Sequence, residues 1–63
     1  MEYFETSFKD DDGTIYEVAY WVTKGRCFAK YRRTLPSGVV LEGKGRRISE
    51  EAYISAYESY KNY

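Results

Sequence analysis

"YWVTKGRCFAKYRRTLPSGVVL", residues 20–41, carries two loop signals on either side of one alternating run. Lys24-Gly25 marks a tight turn, because glycine accepts a positive φ. Leu35-Pro36-Ser37-Gly38 marks a second, with proline holding φ near about −65° and glycine closing the turn. Loop length sets strand register, and a slip of one residue exchanges the two faces of a sheet. A two-residue loop at Lys24-Gly25 places Val22 opposite Cys27, Tyr20 opposite Ala29 and Val18 opposite Tyr31. The alternate positions then pair Trp21 with Phe28, Ala19 with Lys30 and Glu17 with Arg32. A three-residue loop at Pro36-Ser37-Gly38, with Gly38 left-handed, places Leu35 opposite Val39, Arg33 opposite Leu41 and Tyr31 opposite Gly43. It also pairs Arg32 with Glu42, Lys30 with Lys44 and Phe28 with Arg46.

The two loops agree on the faces. One face collects Val18, Tyr20, Val22, Cys27, Ala29, Tyr31, Leu35, Val39 and Leu41, and this is the expected core. Arg33 is the misfit there; its stem can lie on apolar surface while its head reaches water. The other face collects Trp21, Arg26, Phe28, Lys30, Arg32, Lys44 and Arg46. A three-residue loop with Gly25 left-handed would instead slip the second strand by one. Trp21 and Ala19 would then enter the core, and Tyr16, Val18 and Tyr20 would move beside Phe28.

Outward from this stretch, "DDDGT" at 10–14 is a third turn signal. It separates "EYFETSF" from "TIYEVAYWV"; "RCFAKYRRTL" and "VVLEGKGRRI" follow, all rich in aromatic and β-branched residues. The tail "ISEEAYISAYESYKNY" reads as a helix. Ser49 suits its N-cap, Glu50 and Glu51 its positive end and Lys61 its negative end. Ile48 and Tyr53 are spaced as a hydrophobic staple. Ala52, Tyr53, Ala56, Tyr57, Tyr60 and Tyr63 form one broad stripe that can cover the core face, with Ile54 off the stripe. Gly43 and Gly45 would let the helix come close. The expected fold is α+β: a three- to four-stranded antiparallel sheet, strand order 1-2-3-4, with one C-terminal helix packed on one face. Residues 1–63 form a single small domain.

So short a chain hides only about 60% of the surface its unfolded form exposes. One cysteine and no histidine leave neither an internal disulfide nor the common zinc ligand sets. No metal and no cofactor is expected. A second copy of the chain or another partner could supply the missing burial. No apolar run approaches about 18 residues, so no membrane span is expected. "MEYFETSFKDDDG" lacks the basic start and apolar core of a signal peptide, which points to a cytoplasmic protein with a free, buried thiol at Cys27.

The formal charge is zero, but it is segregated. Residues 1–18 carry −5, residues 24–47 carry +7 and the tail carries −2. A neutral chain can thus present a strong local field. Cations neutralise phosphates and exposed rings stack on bases, so the face with Arg26, Phe28, Lys30, Arg32, Lys44 and Arg46 is a candidate nucleic-acid surface. Like charges directly opposite each other destabilise a sheet; an anion between Lys30 and Lys44 would relieve that cost. The plain alternative is a solvated sheet face with Trp21 on Phe28 and Arg46 over the Phe28 ring.

Three other motifs read as structural. "DDDG" lacks the alternating acids and closing Glu of a calcium loop. Cys27 has inward parity and no histidine to activate it. "GKGRR" lacks the phosphate-loop pattern. No catalytic pair stands out, and no enzyme is expected.

Three antiparallel strands, a basic third strand and a capped helix opening "RRISEEAY" (46–53) resemble the arm-type N-terminal DNA-binding domain of phage and transposon tyrosine integrases. The resemblance covers about residues 14–62. It rests on Ile48, Ser49, Glu51 and Ala52 at the helix start, similar to the family's pattern but differently spaced. It implies a phage or mobile-element origin. It also implies that the exposed sheet face enters the DNA major groove, through Arg26, Phe28, Lys30, Arg32, Lys44 and Arg46.

The rival class is a protein-interaction module, such as a mobile-element product that docks on a host protein. Trp, Tyr and Arg dominate interface hot spots. Eight tyrosines are more than so small a core can bury. Trp21, Phe28 and Tyr16 are the residues for that reading.

Overall fold

A computed structural model of the protein describes residues 3–62. The chain runs β1 (Tyr3–Lys9), β2 (Ile15–Thr23), β3 (Arg26–Thr34), β4 (Val40–Glu42), β5 (Arg46–Ile48) and α1 (Glu50–Lys61). All paired strands are antiparallel, in the order β1-β2-β3-β4, and β5 lies beside β3 next to β4. The helix packs on one face, giving the expected α+β arrangement. No helix among the described residues is long and apolar enough to cross a membrane.

The β2–β3 hairpin has the two-residue loop: Lys24 (φ 51°) and Gly25 (φ 72°) are both left-handed. That matches the twist of the flanking strands, although a lysine seldom adopts it. Val22 faces Cys27, Trp21 faces Phe28 and Glu17 faces Arg32, which excludes the slipped register. The β3–β4 loop closes as expected. Gly38 is left-handed, its N–H donates to Leu35 O at 2.8 Å, and Leu35 N–H donates to Val39 O at 2.8 Å. In the first loop Gly13 is also left-handed, and the Asp12 carboxylate accepts from Thr14 N–H at 2.8 Å.

The expected fourth strand is broken. Arg33 faces Leu41 and Arg32 faces Glu42, in the expected register. Farther along, however, Phe28 faces Arg47 and Ala29 faces Arg46. One extra residue has therefore entered at Gly43-Lys44-Gly45, as a bulge inserts it. Gly43 N–H still donates to Tyr31 O at 2.9 Å. Gly45 passes under the Trp21 indole so closely that a Cβ there would lie 3.0 Å from the ring. The expected pairs Lys30–Lys44 and Phe28–Arg46 do not form, because the register changes between them.

Ser49 caps the helix, its hydroxyl accepting from Ala52 N–H at 3.1 Å. Tyr53 is the buried helix residue. It meets Phe4 edge-on (centroids 5.4 Å apart), and Phe4 stacks on Tyr20 at 4.8 Å. Tyr57 and Tyr60 complete a ring of tyrosines around Phe4, at 5.5 and 5.0 Å. Phe4 is 2% exposed and Ala29 0%; Cys27 is buried beside them, a free thiol as expected. Ile48, Val22 and Ala56 pack around this cluster. Ile54 stays exposed, Ala52 is exposed as well, and Tyr63 lies outside the described residues.

The core is smaller than expected and centred elsewhere. Its centre is Phe4, on the first strand. Tyr31, Val39 and Leu41, expected inside, are 52%, 50% and 43% exposed. The reason is geometric. A nine-residue strand is about 30 Å long, whereas a helix is only about 10 Å wide. α1 starts beside Ile48 and ends over β1, with Tyr60 beside Thr6, so it crosses the strands near one end of the sheet and leaves the rest of that face bare.

Candidate binding surfaces

The strand pairings lay out both faces in rows. On the helix side, Phe4–Tyr20–Ala29 lies under α1. The rows Thr6–Val18–Tyr31 and Phe8–Tyr16–Arg33–Leu41 lie beyond it. There Tyr16, Val18, Tyr31 and Leu41 line a shallow groove of about 530 Å³, with Arg33 in its wall. Phe8 rests against Tyr16 with ring centroids 6.2 Å apart and remains 58% exposed. This half is a largely apolar surface whose groove also meets Glu17, Arg32 and Glu42 along its rim, with Arg33 the cation there that makes no ion pair among the described residues.

The outer face is organised differently from the expected basic row. Lys30 Nζ lies 2.9 Å from Glu42 Oε1. Arg32 donates through Nε and Nη2 to Glu17 Oε1, at 3.1 and 2.9 Å. The Lys30 ammonium, bonded to Glu42, holds that carboxyl below its usual range, with Arg32 adding a smaller share. Glu5 lies on the same face, accepting a hydrogen bond from the Tyr3 hydroxyl, which raises the phenol's pKa. In the middle of this face both cations are therefore paired with carboxylates, and Glu5 adds one further negative charge. Lys44 is not paired opposite Lys30, and the Lys30 ammonium is balanced by Glu42 instead.

The six expected nucleic-acid contacts separate into three groups. Lys30 and Arg32 are paired with carboxylates. Arg46 pairs with Ala29 and so lies on the helix side of the sheet. Arg26 and Phe28 keep to the outer side, and Lys44 sits in the inserted segment next to Gly45, which lies against Trp21. Arg47, outside the expected set, takes the position opposite Phe28. Phe28 stacks on Trp21 with centroids 5.7 Å apart and planes at 15°. Arg26, Lys44, Arg46 and Arg47 make no ion pair among the described residues. What survives of the basic row is a cationic corner around the Trp21–Phe28 stack.

The expected protein-contact residues also divide. Trp21 and Phe28 sit together on the outer face, and Tyr16 sits on the helix side within the bare half. Sequence reasoning missed the groove because it assigned Tyr31 and Leu41 to the core. The missed signal was the helix width set against the strand length.

No family model, curated protein or solved structure matches this chain.

Proposed function

We propose that this chain is a non-enzymatic binding module that takes a protein partner on the bare half of its helix-side sheet face. The observation that carries the reading is the exposure of Phe8, Tyr16, Tyr31 and Leu41 as one continuous surface on so small a chain. Monomers seldom leave a large contiguous apolar patch open to water. Tyrosine and arginine in its middle supply the anchors that interfaces favour. Arg33, lacking an internal partner, selects a segment that presents a carboxylate among apolar side chains. Desolvating that cation without an anion would oppose binding.

The test is an affinity capture run with three proteins: the parent, Tyr31→Ser/Leu41→Ser, and Arg26→Ala/Phe28→Ala. A partner retained by the parent and the second variant, and lost from the first, supports the reading. A partner retained by both variants refutes it.

A second reading rests on a separate observation, the unpaired cations Arg26, Lys44 and Arg47 around the Trp21–Phe28 stack. Such a corner suits a sugar-phosphate track, with rings against sugar or base and cations on phosphates. The resemblance to the integrase arm-type domain belongs with this reading, though with a smaller footprint. Three phosphate contacts would give a log–log salt slope of about −2.7 on duplex DNA, at about 0.9 per contact. Titration at low and moderate salt separates the readings: salt-dependent binding lost in Arg26→Ala/Phe28→Ala favours nucleic acid. The balanced Lys30–Glu42 and Arg32–Glu17 pairs are the reason it stands second.

A further inference from the structure

The edge formed by β1 is long and unblocked. It pairs with β2 on one side only and has seven residues, with no proline. Exposed strand edges of this kind are templates for pairing with another chain. Hydrogen-bonded and non-bonded pairs alternate along an antiparallel ladder. Asp10 N–H donates to Thr14 O at 2.8 Å, so the even-numbered residues Phe4, Thr6 and Phe8 bond inward to β2. The N–H and C=O groups of Glu5, Ser7 and Lys9 are left on the free edge.

We propose that β1 pairs with β1 of a second copy across a two-fold axis at Ser7, joining two sheets into one. Only registers that set odd residues opposite odd residues satisfy both edges. Among these, centring on Glu5 would set Glu5 against its own copy, and centring on Thr6 or Phe8 would set Glu5 or Lys9 against Ser7, which carries no charge. Centring on Ser7 sets Glu5 against Lys9 of the other copy, twice by symmetry. Neither Glu5 nor Lys9 has an ion pair among the described residues. The same register sets Phe8 opposite Thr6 of the other copy. Thr6, Ser7 and Tyr60 line a groove of about 590 Å³ between the β1 edge and the end of α1, with Glu5 and Lys61 also in its lining. The exposed Phe8 ring of each copy enters the groove of the other, so charge and shape select one register. This contact takes Phe8 from the rim of the open surface and leaves Tyr16, Tyr31 and Leu41, which line its groove, free.

The experiment is sedimentation equilibrium of the full chain and its variants. The parent is expected to be a dimer. Ser7→Pro removes an N–H that faces the free edge, so the β1–β2 ladder survives and the chain becomes monomeric with unchanged circular dichroism. Glu5→Lys and Lys9→Glu each weaken the dimer about tenfold, because symmetry converts both pairs to repulsion at once. The double variant Glu5→Lys/Lys9→Glu restores it. On a Cys27→Ala background, Ser7→Cys forms a disulfide across the axis and Thr6→Cys does not. A parent that stays monomeric at the concentration of an NMR sample would overturn the proposal. So would a dimer that survives Glu5→Lys unchanged, that is lost in Tyr31→Ser/Leu41→Ser, or that crosslinks through Thr6→Cys instead.

Discussion

One face of the sheet has two halves built from the same kinds of residue. Phe4, Tyr20 and Ala29 lie in one; Phe8, Tyr16, Tyr31 and Leu41 lie in the other. The first is sealed by three rings of the helix, Tyr53, Tyr57 and Tyr60, and the second is open. Apolar identity does not separate them. What separates them is their position relative to a helix that crosses near one end of the sheet. The same alternating pattern therefore marks core in one row and contact surface a few residues farther along the same strands.

The contrast is sharpest in stability. Phe4→Ala should cost about 3–5 kcal/mol, the usual cost of emptying a packed aromatic site. On a chain this small that is enough to unfold it. Tyr31→Ser should change stability by less than about 0.5 kcal/mol, as substitutions on an exposed surface do. Chemical denaturation of the two variants side by side measures the difference, and comparable losses would mean that the open half is core after all.

Two further substitutions probe the close approach of the β4–β5 segment to the outer face and the cap of the sealing helix. Gly45→Ala would push a methyl group into the Trp21 indole and should cost about 1–3 kcal/mol, as overpacking does. A shift in Trp21 fluorescence should accompany it. Ser49→Ala removes the cap from the helix that does the sealing and should cost about 1 kcal/mol. Thermal melts check both. A loss confined to the melting temperature, with the far-ultraviolet spectrum intact, is the expected form for Ser49→Ala.

On the outer face the expected effect is smaller and reads out as titration. Glu42 has a depressed pKa, so its pairing with Lys30 is fully present above the usual carboxylate range. It is lost as pH falls through the lowered value. In Lys30→Ala the Glu42 carboxyl should titrate higher, toward its ordinary value, with Arg32 keeping its smaller share, as followed by the carbon-13 shift of its side-chain carboxyl. An unchanged midpoint would mean that the pair does not form in solution.

The sequence disclosed the register of the central hairpin through the length of its loops, and the helix through its cap and tyrosine stripe. The β3–β4 register followed as far as Glu42 for the same reason. Beyond it, Gly43 and Gly45 hid an insertion, because a strand that keeps alternating through two glycines gives no sign of an extra residue. Phe4 was legible in principle. A three-residue loop at Asp11-Asp12-Gly13 places it opposite Tyr20, but an acidic flanking strand looks like surface. The Arg32–Glu17 pair followed from the hairpin register, which sets the two residues opposite each other. Lys30–Glu42 is a diagonal pair in the register that holds as far as Glu42, and it was passed over for the directly opposed Lys44. The extra residue beyond Glu42 brought Arg47 to Phe28 in place of Arg46.

The claim that the open half is a contact surface is tested most directly by photocrosslinking inside the source cell. A photoreactive residue is placed at Leu41 in one protein and, in another, at Ile54, which is equally exposed but lies off the tyrosine stripe. The account predicts a discrete protein adduct from position 41 and none of the same mass from position 54. Equal labelling at both positions, or no adduct at position 41 while position 54 yields one, would contradict it.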